Sequence, residues 1–354
     1  VVENPTGGRK GNQRLVLLAI GVAVVLLYFA LTRRQDGGFD WARFLAVFRD
    51  IHWGWFAASV FVVLLTYLGR ALRWQLMVRP IRAESNLWNL LVATIIGFTA
   101  VVLFGRAGEL VRPYLIAKKE KFPFTSQVAV WVLERIYDLL SVLLLFGFAL
   151  SRISSSSTRL GGRMEWVLEA GGHMVGVMGT LCLVLLVVFG LFPQFVERQL
   201  LGALQVLPER FRDRIGGLVQ AFLAGTSSTR RGSFVFLLVA YTFAEWFLIV
   251  LCFFCVFKAM PATAGFGFVD TLIVVGFVAF GSSVQVPGIG GGMQVAAILV
   301  LTELFRLPLE TASGIAILLW VVSFLTVVPV GLGLAVREGI ELRKVMHSKE
   351  FESV

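Results

Sequence analysis

Charge is what this 354-residue chain has least of. Asp, Glu, Lys and Arg make up 15% of it, against 57% hydrophobic residues. A soluble chain is nearer a quarter charged and half apolar. Mean hydropathy is +0.83. This shortage excludes an ordinary soluble domain. Several apolar runs approach or exceed the ~18 residues that suggest a spanning helix, which predicts an all-α polytopic membrane protein. Histidine and cysteine are also scarce, at three each. His52, His173 and His347 fall near predicted helix ends, and Cys252 and Cys255 stand at i,i+3 with no histidine beside them. That is too few ligands for a metal site, and no cofactor is expected. There is no Gly-x-Ser-x-Gly and no metal-spaced His/Asp cluster. The glycine-rich stretch Pro287–Gly292 lacks the Lys-Ser/Thr of a phosphate-binding loop. With no catalytic set, and no domain of enzyme size outside the membrane, an enzyme is not expected.

The charge that is present is mostly positive, +10 net. It clusters at the ends of apolar runs, which suits cytoplasmic loops and anionic headgroups rather than nucleic acid. The runs fall at about 15–32, 53–69, 87–104, 127–150, 174–192, 234–257, 268–286, 293–305 and 313–336. The first follows Arg9, Lys10 and Arg14. It is too long for a signal-peptide core and lacks a small-residue cleavage site, so it is read as a retained crossing after a cytoplasmic tail, 1–14. Loop charges place Arg70, Arg73, Arg79 and Arg82 inside, and Arg106, Arg112, Lys118, Lys119 and Lys121 inside as well.

Both flanks of the 87–104 run are then cytoplasmic, so 87–118 is expected to be a re-entrant hairpin turning near Gly105–Gly108. On the same logic 268–305 starts and ends outside. Its segment Gly281–Gly292 contains Pro287 and five glycines, which cannot stay helical. It is expected to be a second re-entrant hairpin from the opposite face. Ile96-Gly-Phe-Thr-Ala100 echoes Val275-Gly-Phe-Val-Ala279, and opposed hairpins with internal similarity suggest an inverted repeat. Chance similarity between apolar runs is the alternative. Residues 194–226 read as two amphipathic helices on the cytoplasmic surface or as a packed helical hairpin, and 337–354 as a cytoplasmic tail. About six full crossings remain.

Intramembrane charges are costly and persist where they meet a partner or a polar path. Arg106, Glu109 and Arg112 lie at i, i+3, i+6 in the first hairpin, and an Arg fork grips phosphate. The alternative is that Glu109 pairs permanently with Arg112 or Arg135 and seals the hairpin. Glu134, Arg135 and Asp138 open the next apolar run, with Asp138 expected deepest. Gln285, Pro287, Gly288 and Gly290 would offer free backbone groups at the second tip, or simply form its turn. Glu245 is a further intramembrane acid; Glu303, Arg306 and Glu310 are read as interfacial.

Four segments carry a resemblance: Arg70-Ala-Leu-Arg73-Trp74; Gly105-Arg106-Ala-Gly108-Glu109-Leu-Val-Arg112; Glu134-Arg135-Ile-Tyr-Asp138; and Val286-Pro287-Gly288-Ile-Gly290. From about Ile51 to Arg337 the chain resembles the lysylphosphatidylglycerol synthase transmembrane family, a flippase-like membrane domain. In some members that domain is joined to a soluble aminoacyltransferase. The resemblance implies lipid translocation. These 354 residues hold no synthase domain, so aminoacyl transfer is not expected of them. Gln294 stands where the family pattern tends to have Glu, which removes a symmetric acid from the second hairpin. The expected protein is a multi-pass inner-membrane flippase for a phospholipid or lipid-linked substrate, with a polar cavity between the hairpins and the acyl chains left in lipid. The alternative is a non-transporting scaffold for a separate lipid-modifying enzyme or glycosyltransferase.

Overall fold

A computed structural model describes residues 39–79, 84–154, 172, 177, 232–282, 285–286 and 290–339. The expected first crossing (15–32), the 174–192 crossing, the amphipathic segment 194–226, both tails apart from residues 337–339, and Pro287 and Gly288 lie outside the described residues. The described part is helical except for one two-residue strand pair: α1 (Trp41–Ala46), α2 (Trp53–Val78), α3 (Leu87–Phe104), a 3-10 turn (Gly105–Leu110), α4 (Val111–Glu120), α5 (Phe124–Ser154), α6 (Gly232–Ala259), α7 (Phe268–Gly281), β1 (Gln285–Val286), β2 (Gly290–Gly291), α8 (Gly292–Glu303), α9 (Leu309–Trp320), a π-helical stretch (Val321–Leu325) and α10 (Val327–Arg337).

Four stretches are long and apolar enough to cross a membrane: Trp53–Val78, Leu87–Glu120, Phe236–Ala259 and Leu309–Arg337. At 1.5 Å per residue the 26 residues of α2 extend about 39 Å, beyond the ~30 Å hydrocarbon core. The chain is therefore a multi-pass membrane protein. Arg70 and Arg73 are not loop charges; they lie inside α2, and Arg73 is fully buried.

Leu87–Glu120 folds back on itself. Asn86 caps α3 by accepting from the Trp88 amide, and Gly105, at φ 65°, ends the helix in a conformation that side chains resist. A Cβ on Gly97 would stand 2.6 Å from the Arg112 Cβ, and one on Gly108 would collide with the Ala100 carbonyl. Asn89 donates to Glu120 Oε1 at 2.6 Å, so the two legs meet again at their open end. The second hairpin is built the same way. α7 starts where Asp270 accepts from the Gly267 amide at 2.7 Å. The chain reverses through β1 and β2, paired antiparallel with Gln285 opposite Gly291 and Val286 opposite Gly290. A Cβ on Gly281 would stand 2.6 Å from the Ala296 Cβ, and Phe266 meets Phe305 at 4.4 Å across the open end.

The hairpins open at opposite ends of the bundle. Trp55 against Phe254, and Asp40 against Glu310, gather the start of α2, the end of α6 and the start of α9 at the end where the second hairpin opens. Lys119 and Glu338, 2.7 Å apart, join the end of α4 to the end of α10 where the first hairpin opens. α2 packs along α6. α3 packs on α10, where Gly331 lets Thr99 approach, while α7 packs on α5, where Gly276 lies against the Leu145 carbonyl. Each hairpin's first leg thus rests on a helix distant from it in sequence. The 96–100 and 275–279 echo does not carry equal roles: Gly97 faces its own hairpin's return leg, whereas Gly276 faces α5. One apolar cluster surrounds the first hairpin (Trp74, Leu90, Ile96, Val111) and another the second (Phe146, Val274, Ala297, Leu319). The tips touch, with β1 lying against the 3-10 turn.

Gly108→Ala is expected to lower the melting midpoint of the detergent-solubilised protein, because overpacking costs about 1–3 kcal/mol. Gly69→Ala, where a Cβ meets nothing within 4 Å, should leave it unchanged or raise it, since helical Gly is destabilising by roughly 0.5–1 kcal/mol. Equal midpoints for the two variants would contradict the fold-back.

Candidate functional site

The bundle's interior holds a layer of charge beside the hairpin tips. Arg73 is its centre. Its Nη1 donates to Asp138 Oδ1 at 2.7 Å and to the Thr242 hydroxyl at 3.3 Å, and its Nη2 donates to Glu134 Oε1 at 2.7 Å. Glu245 lies 3.3 Å from the same Nη2 and pairs with Arg70 at 2.9 Å. α2, α5 and α6 are held together by these contacts. From the first hairpin Arg112 enters the same cluster: its Nη1 donates to both Glu134 oxygens at 3.1 and 3.0 Å, and its Nη2 to the Arg70 carbonyl at 3.0 Å. Its guanidinium also lies 4.1 Å over the Trp74 ring, and the Trp74 indole is fixed by Gln127 at 2.9 Å.

The helices deliver these groups by ordinary geometry. Arg70 and Arg73 sit one turn apart on α2, as do Glu134 and Asp138 on α5. Burial of so many charges is tolerable only because each has partners; breaking such a pair typically costs about 3–5 kcal/mol.

The residues expected at the site divide into two sets. Arg112 and Glu134 are buried and locked to one another. Asp138 and Arg135 lie toward open space, and Arg135 reaches Asp138 at 3.2 Å and Glu134 at 3.5 Å while its side chain remains 41% exposed. Glu134 is more buried than Asp138, which was expected deepest: it faces Arg73 and Arg112 with its side chain 0% exposed, against 13% for Asp138. Glu109 pairs with neither Arg112 nor Arg135. It faces Arg106 at 3.7 Å in the 3-10 turn, where Arg106 is 61% exposed. At the second tip, Gln285 and Gly290 belong to the strand pair. Gln294 accepts from the Gly291 amide at 2.8 Å, a helix-capping role. Arg70, Arg73 and Glu245 are central to the cluster although the sequence reading gave them no site role.

Beside the cluster lies a cavity of about 460 Å³. Arg70, Arg106, Arg112 and Arg135 line it together with Glu109 and Asp138, and Ala279 and Ser282 of the second hairpin close its far side. A smaller apolar chamber of about 170 Å³ adjoins it, lined by Val63, Tyr67, Phe253 and Met293. Arg70, Phe98, Trp246 and Phe324 border both. Arg70 lies 4.5 Å over the Phe98 ring at this boundary. The space is amphipathic, with guanidinium groups on one side and aromatic and aliphatic surface on the other. Among the described residues no group of His, Cys, Asp and Glu has metal-binding geometry.

Arg73→Gln is expected to lower the melting midpoint far more than Asp138→Asn. The first leaves three buried carboxylates without their shared partner, whereas Asp138 is within reach of the cavity. Equal losses would show that the cluster is not centred on Arg73.

The family model described as the lysylphosphatidylglycerol synthase TM region matches residues 16–331. No curated protein and no solved structure matches the chain.

Proposed function

The chain belongs to the lysylphosphatidylglycerol synthase transmembrane family, and from that premise we propose that it is a flippase that carries a phosphate-bearing lipid headgroup across the inner cell membrane, through the cavity between its hairpins. The observation that carries this reading is the two-part cavity: a guanidinium-lined space of about 460 Å³ adjoining an apolar chamber, at the place where opposed hairpin tips meet. Guanidinium forks suit phosphate oxygens. Irregular backbone at membrane depth is tolerated where it is buried or lines a cavity; Arg106 and Glu109 of the first tip line the cavity, and Ser282 brings the end of α7 to it. No covalent chemistry is assigned to the site. The headgroup passes between the tips while its chains stay in the bilayer.

The proposed topology has six crossings: 15–32, α2, α5, 174–192, α6 and the α9–α10 helix. Both hairpins are re-entrant, each dipping into the bilayer from its own face. The end carrying Arg79, Lys118, Lys119, Lys121 and Arg337 is cytoplasmic by its positive charge. The two halves then form an inverted repeat, which the exchanged packing of α3 on α10 and α7 on α5 supports.

Two measurements test this. Single cysteines at Ser85 and Lys121 should label from the same, cytoplasmic face; labelling from opposite faces would make Leu87–Glu120 a true crossing. In proteoliposomes, Ala279→Trp should abolish protein-dependent headgroup movement while the protein stays monodisperse, since Ala279 borders both spaces. Undiminished transport by that variant would remove the cavity from the pathway.

A further inference from the structure

Arg106 and Glu109 at the cavity mouth face one another at 3.7 Å and cancel. Behind them four guanidinium groups, Arg70, Arg73, Arg112 and Arg135, meet three carboxylates, Glu134, Asp138 and Glu245. Among the described residues one positive charge is left over. The hydrogen bonds are unbalanced in the same direction. The Nε–H groups of Arg73, Arg112 and Arg135 are buried and have no acceptor among the described residues. Arg112 and Arg135 both line the cavity. The carboxylates do not make up the difference: Glu134 already accepts from Arg73 and Arg112, and Asp138 from Arg73, so three unpaired Nε–H donors stand against one buried carboxylate oxygen without a hydrogen bond, Glu245 Oε2. The layer therefore carries a surplus of charge and a surplus of donors, and both are met by an acceptor-rich group bearing one negative charge.

We propose that the site selects lipids whose headgroup is a net monoanion, a phosphodiester with otherwise neutral substituents, and rejects zwitterionic and cationic headgroups. This rests on the flippase reading and specifies its substrate class. A monoanion neutralises the layer. A zwitterion leaves the extra charge uncompensated, and a cationic headgroup is repelled by it at short range inside the cavity. A phosphate meets the same groups whether it arrives on a lipid or free in water, and the experiment separates the two sources.

The purified protein is reconstituted with trace lipids labelled on an acyl chain, so that each headgroup is native. Phosphatidylglycerol carries one negative charge, phosphatidylcholine none, and a trimethylammonium-propane lipid one positive charge. Phosphatidylglycerol is expected to cross at least tenfold faster than phosphatidylcholine, and the cationic lipid at the protein-free rate. Asp138→Asn raises the layer by one charge and should shift preference toward phosphatidic acid, whose phosphomonoester approaches two negative charges at neutral pH. Arg135→Gln lowers it by one and should bring phosphatidylcholine level with phosphatidylglycerol. Both positions adjoin the cavity, and each variant's melting midpoint is read alongside.

Melting midpoints with short-chain forms of the same lipids read binding separately from transport. Selective stabilisation by phosphatidylglycerol without movement of any lipid would overturn the flippase reading and keep the charge selectivity. Equal movement of all three headgroups would overturn the selectivity and keep the flippase. Inorganic phosphate that raises the midpoint as much as short-chain phosphatidylglycerol would overturn the lipid and make the ligand a free anion. Unchanged preference in both charge variants would overturn the proposal outright.

Discussion

One buried guanidinium organises this protein. Arg73 is fully enclosed, and its partners come from two other helices, Glu134 and Asp138 on α5 and Glu245 on α6. In a medium without water such a group must be satisfied by protein. α2, α5 and α6 are therefore fixed relative to one another at that level. Glu134 extends the constraint, because it also binds Arg112 and so holds the return leg of the first hairpin. The cavity lies beside this layer, with Arg70, Arg112, Arg135 and Asp138 in its wall.

Small residues then set the approach of the remaining helices. Gly108 lets the 3-10 turn close onto α3, Gly276 seats α7 on α5, and Gly331 seats α10 on α3. In a bilayer, close packing supplies what hydrophobic burial supplies in water. Each hairpin leans on the other half of the chain, so neither half keeps its packing when the other is displaced. The charged layer and the tips lie where these contacts converge.

Much of this architecture was legible in the sequence. Long apolar runs marked the helices because hydrocarbon demands them, and glycines marked both reversals because few other residues reverse a chain so tightly. Gly105 at φ 65° and Gly291 at φ 117° are where that demand is met. The charged layer was less legible. Arg70 and Arg73 read as the start of a loop, which cut α2 short at residue 69, whereas the helix continues to Val78. What makes Arg73 an interior residue is a set of carboxylates 61 and 65 positions away and farther. Sequence spacing shows neighbours on one helix and is silent about partners on another. For the same reason sequence spacing offers Glu109 as an alternative partner for Arg112 or Arg135, whereas Arg112 pairs with Glu134 on α5. The π-helical stretch Val321–Leu325 gave no signal in a run that is apolar throughout.

The central claim is that the charged layer between the hairpins holds one lipid phosphate. An electron cryomicroscopy map of the protein in nanodiscs of anionic phospholipid tests it most directly. The account predicts headgroup density in the 460 Å³ cavity, within hydrogen-bonding distance of Arg135 and of Arg70 or Arg112, with its chains leading away between helices. A map in which ordered lipid is confined to the outer surface, and the Arg135 side chain turns away from the cavity, would contradict it.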